Sequence, residues 1–314
     1  MRYAVLFRTH YWTDYLEERY TELKQQMKSG DLFITYDATN SAPPDRPDVV
    51  PHSLDSLRHI GLYVPATKAL WYCGDYPFYD FFIKKPDYDY YLMIENDVLI
   101  KGVDLDAVMA KLHEEQVDVL GAHFAKYSPD AKFQTARVGR SLYKTWQKCF
   151  FPTVGLSRAA LVSLYASRLK QAEAKARSKD AELPFCESFL GSEAADSGMK
   201  YVEMKTVLPV KRYGAGKYFL KDMIDKDIDV GVWHPVLPTD KYLDAVIKHE
   251  CGVRGADAFI EGSHVWNHLD VLLQSNFMER GEVQKKVHEL ASRSKHYEHF
   301  RSRLAALDSL LAAA

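Results

Sequence analysis

Cysteine is scarce in this sequence: four among 314 residues, at positions 73, 149, 186 and 251, far apart and with no CxxC pair. That excludes a disulfide-dense scaffold, and a reduced, cytoplasmic chain is the expectation. Long hydrophobic runs are also missing. No stretch approaches the ~18 apolar residues of a membrane span, and Met1–Arg8 turns polar too soon for a secretory signal. Neither sign of charge dominates, with 41 basic against 43 acidic residues, so there is no global footprint for nucleic acid. No internal repeat or low-complexity segment stands out, apart from the Ala-rich end. Aromatics, by contrast, are abundant. The 20 tyrosines suit a protein with binding clefts and equally suit an ordinary core. The length permits one large α/β domain or two smaller ones, with ample core.

The most informative stretch is Asp87 to Ile100. Tyr90 to Ile94 is an aromatic and apolar run that reads as a buried strand. It ends in Glu95-Asn96-Asp97 before apolar residues resume at Val98. Two carboxylates two residues apart at a strand's end can aim their oxygens at one point, and hard oxygen ligands suit Mg²⁺ or Mn²⁺. A strand-terminating turn rich in Asn and Asp is the plainer reading.

Around it the chain alternates. Tyr3 to Phe7 reads as a first strand. A helix with Leu16, Tyr20, Leu23 and Met27 at spacings of three or four follows, then a second strand over Asp31 to Tyr36. Strand, helix, strand within about 35 residues is a βαβ unit, so a parallel sheet is expected, with ligands beyond the carboxyl ends of its strands. Arg8, Thr9 and Asp37 stand at such ends. Ala38 to Pro51, with four prolines, reads as an irregular loop, and Ser53 as a helix cap. Leu70 to Tyr72 reads as a short third strand. Asp75 is then a helix cap or a nucleotide ligand, with Pro77 in the first turn and Phe78, Phe81 and Phe82 on the buried face.

Later, Leu105 to Leu112 reads as a helix and Val117 to Ala122 as a strand. The basic residues of Lys126 to Lys148 form a solvated helix face or a patch for an acidic acceptor. Phe150 to Arg158 is a strand running into a helix. Pro184 places Glu187 near a helix N-terminus, where the macrodipole steadies its charge. Lys211 to Lys217, with Gly214 and Gly216, reads as a loop able to close over a pyrophosphate. Asp229 to Pro235 is a last strand that ends in His234.

The acidic strand end, together with Trp71 to Phe82 and Cys186 to Leu190, resembles glycosyltransferases of the GT-A fold, over roughly Arg2 to Pro235. Glu95 stands where the family's pattern has Asp. The resemblance implies a GT-A-like, Rossmann-like α/β domain over residues 1–237, a mostly parallel sheet flanked by helices. It also implies a nucleotide diphosphate-sugar donor held by Arg8, Thr9, Asp37, Asp75 and Asn96. It implies Mn²⁺ or Mg²⁺ on Asp97, Glu95 and His234, and a carboxylate base at Glu187, with Glu193 second. Surface carboxylates are the plain reading of both glutamates. The acceptor would be a hydroxyl of a glycan or glycolipid.

Two other functions remain open. A nucleotidyltransferase would want a Gly-rich basic loop after the first strand, which Arg8-Thr-His-Tyr-Trp12 is not. A binding module could keep the fold without the chemistry. Residues 238–314 read as a helical extension. Its Val283 to Leu311 stretch is a basic amphipathic helix that can pack on the domain, pair with another helix, or lie on an anionic membrane.

Overall fold

A run of five residues at the start of the chain, Tyr3 to Phe7, becomes an inner strand of a sheet. The computed structural model describes residues 1–128, 131, 136–215, 218–221, 224, 230–238 and scattered positions between 241 and 309. Strand β1 (Tyr3–Thr9) is buried at every position but Arg8. Helix α1 (Asp14–Gln25) starts at Thr13, whose hydroxyl accepts the Leu16 N–H, and it buries Leu16, Tyr20 and Leu23 on one face. Strand β2 (Asp31–Asp37) returns parallel to β1. The expected loop before Pro51 contains a further strand, β3 (Val49–His52), parallel to β2 at the edge of the sheet. An edge strand has one side with no ladder to complete, which is why Pro51 fits there.

Helix α2 (Leu54–His59) is closed by a capping box between Ser53 and Ser56. The strand expected at Leu70 to Tyr72 is instead a single helical turn, α3 (Ala69–Tyr72). Three apolar residues are too few for periodicity to separate helix from strand. Helix α4 (Tyr76–Lys84) carries Pro77 in its first turn and buries Phe78 and Phe81. Strand β4 (Tyr90–Glu95) lies parallel to β1, on the side away from β2. It is followed by β5 (Leu99–Lys101) and by α5 (Leu105–Glu114), which Asp104 caps.

Strand β6 (Val119–Lys126) runs beyond the expected Ala122. Strand β7 (Gln147–Ser157) is antiparallel to both β4 and β6. The helix face expected over Lys126 to Lys148 is corrected: Lys126 closes one strand, Gln147 opens the next, and a short 3-10 turn, Arg140–Leu142, lies between them. Helix α6 (Arg158–Arg177) starts at Ser157, whose hydroxyl accepts the Ala160 N–H. Then come α7 (Cys186–Asp196), β8 (Tyr201–Glu203), β9 (Val210–Tyr213), β10 (Phe219–Leu220), β11 (Gly231–His234) and β12 (Val236–Leu237). Thus the expected loop at Lys211 begins inside a strand, while Gly216 and Lys217 lie outside the described residues.

The central sheet has the order β3-β2-β1-β4-β7-β6-β8, with four parallel and two antiparallel pairs. The chain is therefore α/β, with a mostly parallel sheet flanked by helices. One face carries the large core, where Leu6, Met93 and Val154 meet Phe78, Leu161 and Phe189 from α4, α6 and α7. On the other face Phe7 meets Tyr20 of α1 edge-on, and the Tyr90 hydroxyl donates to the Leu112 and Val117 carbonyls around the end of α5.

Met1–Arg212 with Asp229–Trp233 make one compact unit, and Tyr213–Ile228 with His234–Ala314 make a second. Most of residues 238–314, including most of the basic amphipathic stretch, lie outside the described residues. Among the described residues, no helix is long and apolar enough to cross a membrane.

Candidate metal and donor site

Parallel pairing of β1 with β4 sets Arg8 opposite Glu95. Their side chains meet: Arg8 Nη1 donates to Glu95 Oε1 at 2.7 Å, and Nη2 donates to the Leu70 carbonyl at 2.6 Å. One residue further on, Asn96 Nδ2 donates to Thr9 Oγ1 at 2.9 Å, and the Asn96 N–H donates to the Arg8 carbonyl. The Val98 N–H closes the turn on the Glu95 carbonyl. Three of the expected nucleotide-binding residues, Arg8, Thr9 and Asn96, thus frame the turn that presents Asp97. The sequence reading gave Arg8 and Glu95 separate ligands and missed that they pair with each other. Their matching places, counted from Tyr3 and Tyr90 at the strand starts, become a signal only once the register is known.

His234 is brought to this turn by the strand that carries it. Strand β11 pairs antiparallel with β5, Trp233 opposite Leu99, so the next residue of β11 returns toward the Glu95 to Val98 turn. One ligand atom from each of Glu95, Asp97 and His234 lies within 4.8 Å of the others. His234 Nδ1 is 3.0 Å from the Gly214 carbonyl. A carbonyl only accepts, so Nδ1 carries the proton and Nε2 the lone pair. Two carboxylates and an imidazole are a donor set that Mn²⁺ accepts readily. Arg8 engages one oxygen of Glu95, and a carboxylate has a second.

The other expected residues have partners of their own. Asp37 ends β2 and accepts the Thr39 N–H at 3.0 Å, which closes a turn there. Asp75 stands at the first turn of α4 but makes no side-chain cap. It is only 2% exposed. Its oxygens accept from Arg168 Nε at 2.7 Å, Arg168 Nη2 at 2.8 Å and the Tyr79 hydroxyl at 2.9 Å. Asp75 holds the cap position of α4 through its backbone, while this buried bidentate pair engages both of its side-chain oxygens in place of a nucleotide. Arg168 also donates to the Pro184 carbonyl just before α7 and lies 3.7 Å from the Phe189 ring centroid.

Glu187 sits half-buried in the first turn of α7. That helix lies close against β7 because Gly191 has no Cβ: one built there would stand 2.7 Å from the Lys148 carbonyl carbon. Gly74 does the same for the start of α7. A Cβ on it would stand 3.2 Å from both Arg8 Nη1 and Cys186 Sγ. Through Gly74, the residue before Glu187 therefore neighbours the Arg8–Glu95 pair. Glu193, two turns along, is engaged structurally and accepts from the Tyr143 and Ser167 hydroxyls at 3.1 Å each.

Burial shifts several titrations nearby. His52, 3% exposed at the end of β3, is pushed down to about 4, since charging it would bury a cation. The Cys73 thiol is pushed up to about 12 by burial, and burial holds Cys149 and Cys186 well above the usual thiol range.

No family model and no curated protein sequence matches this chain. Among solved structures it is similar to mouse xyloside xylosyltransferase 1 in its apo form, at 10% identity and a TM-score of 0.41, over 74% of this chain and 96% of that one. It is also similar to a glycosyltransferase involved in the glycosylation of the major capsid of PBCV-1, at 8% identity and a TM-score of 0.36, over 74% and 91%. A third is CMP:2-keto-3-deoxy-manno-octonic acid synthetase complexed with CTP, at 10% identity and a TM-score of 0.35, over 65% and 90%. At these scores the likeness says nothing of what this chain binds or does.

Proposed function

We propose that this chain is a metal-dependent glycosyltransferase of the GT-A kind. It would move a sugar from a nucleotide diphosphate-sugar to a hydroxyl of a glycan or glycolipid. The observation that carries the reading is the convergence of Glu95, Asp97 and His234 within 4.8 Å beyond the carboxyl end of β4. In a parallel sheet that is where ligands bind. Asp97, Glu95 and His234 would hold Mn²⁺ or Mg²⁺, which supplies Lewis-acid neutralisation of the diphosphate leaving group.

The remaining roles belong to the protein's own groups. Arg8 orients Glu95 and fixes the turn. Glu187, its charge steadied at the N-terminus of α7, takes the proton of the acceptor hydroxyl as that oxygen attacks, in an inverting transfer.

The test is incubation of the full chain with a panel of nucleotide diphosphate-sugars and Mn²⁺, reading nucleoside diphosphate release with and without glycan acceptors. Release from one donor, raised by an acceptor, is the expected result. Release of pyrophosphate from a nucleoside triphosphate and a sugar phosphate would instead point to nucleotidyl transfer.

A further inference from the structure

Trp71 is 60% exposed, the most open large apolar side chain among the described residues. An indole left in water forgoes a large burial gain, yet this one is held rather than loose. Phe185 lies against it at 4.9 Å between ring centroids, and Tyr72 packs on Phe185 at 5.5 Å. Lys68 Nζ stands 5.7 Å from the indole centroid. The backbone is pinned as well: the Leu70 carbonyl accepts from Arg8, and the Trp71 carbonyl faces Cys186 Sγ at 4.0 Å. Trp71 is thereby tied to Arg8, which holds Glu95, and to Cys186, which precedes Glu187.

We infer that Trp71 is a stacking platform for one sugar ring of the acceptor glycan, a reading that rests on the proposed glycosyl transfer. The apolar C–H face of a pyranose matches one indole in size, and its weakly positive hydrogens meet the negative face of the ring. Lys68 beside the indole offers a donor for ring hydroxyls. A single aromatic bordered by Lys68 is too small and too polar at its rim to seat an acyl chain. A rigid two-torsion side chain also loses little entropy on contact.

The test uses the full chain, as wild type, Trp71→Ala and Trp71→Phe, on an array printed with gluco-, galacto-, manno- and xylo-configured oligosaccharides. The wild type should retain at least one class. Trp71→Ala should lose retention about tenfold or more, and Trp71→Phe should keep most of it. All three should show the same melting shift with a nucleoside diphosphate and Mn²⁺. No retention by the wild type, or equal retention by Trp71→Ala, overturns the platform. Retention that needs Trp71, with no nucleotide shift even in the wild type, upholds the platform and removes glycosyl transfer instead.

Discussion

Arg8 and Glu95 face each other across β1 and β4, joined at 2.7 Å with both side chains largely covered. The pair fixes how far the acidic turn projects beyond the sheet. Arg8→Ala removes that hold and the bond to the Leu70 carbonyl, while leaving Glu95 charged. Affinity for Mn²⁺ should fall without being lost, because Asp97 and His234 remain. Calorimetric titration with Mn²⁺ against the wild type checks this, and unchanged affinity would mean that the pair is structural alone.

The Asp75–Arg168 pair makes a stability prediction. Removing one partner of a buried ion pair leaves an uncompensated charge and typically costs about 3–5 kcal/mol. Arg168→Met should therefore unfold at much lower denaturant than wild type. The double variant Asp75→Leu with Arg168→Met should recover part of that loss. Denaturant melts of the two singles and the double measure the coupling directly.

Glu187 and Glu193 should respond oppositely. Glu187→Gln should keep donor affinity while turnover falls by about 10²–10⁴-fold. Glu193→Ala orphans the hydroxyls of Tyr143 and Ser167, so it should cost about 1–3 kcal/mol of stability. Initial rates beside melting temperatures separate the two. Normal turnover in Glu187→Gln would move the base elsewhere.

His52 sets an acid limit. Its folded pKa of about 4 lies below the ordinary 6.5, so between those values the unfolded chain binds a proton that the folded chain refuses. Stability is therefore full above about 6.5 and falls as the pH drops toward 4, by at most about 1.4 kcal/mol per pH unit. Asp37, Asp80, Arg8 and Lys84 are the charges that act on it. In His52→Gln the melting temperature should lose that slope. Asp106, lowered to about 2, acts only below that window, so the slopes do not overlap.

How much of this was legible follows from where each signal lay. Strands β1 and β4 are apolar runs buried on both faces, and the caps at Ser53 and the Pro77 turn are local chemistry, so residues alone reveal them. A strand end at His234, just before Pro235, was visible in the same way. Strand β3 was hidden because Pro51 argues for a loop, and only its edge position admits it. The partners of Asp75, Glu193 and Arg8 lie 93, 26 or 50, and 87 residues away in the chain. No local pattern encodes such pairings. They follow from the register of the sheet and from how α6 and α7 lie on it.

The central claim is that the Glu95, Asp97 and His234 cluster holds the metal that binds the donor. Titration of nucleoside diphosphates into wild type and Asp97→Asn, each with and without Mn²⁺, tests it most directly. Asn keeps the shape of the side chain and removes the charge. The account predicts Mn²⁺-dependent binding in the wild type, its collapse in Asp97→Asn and a milder loss in His234→Ala. Equal Mn²⁺-dependent affinity in wild type and Asp97→Asn would contradict it.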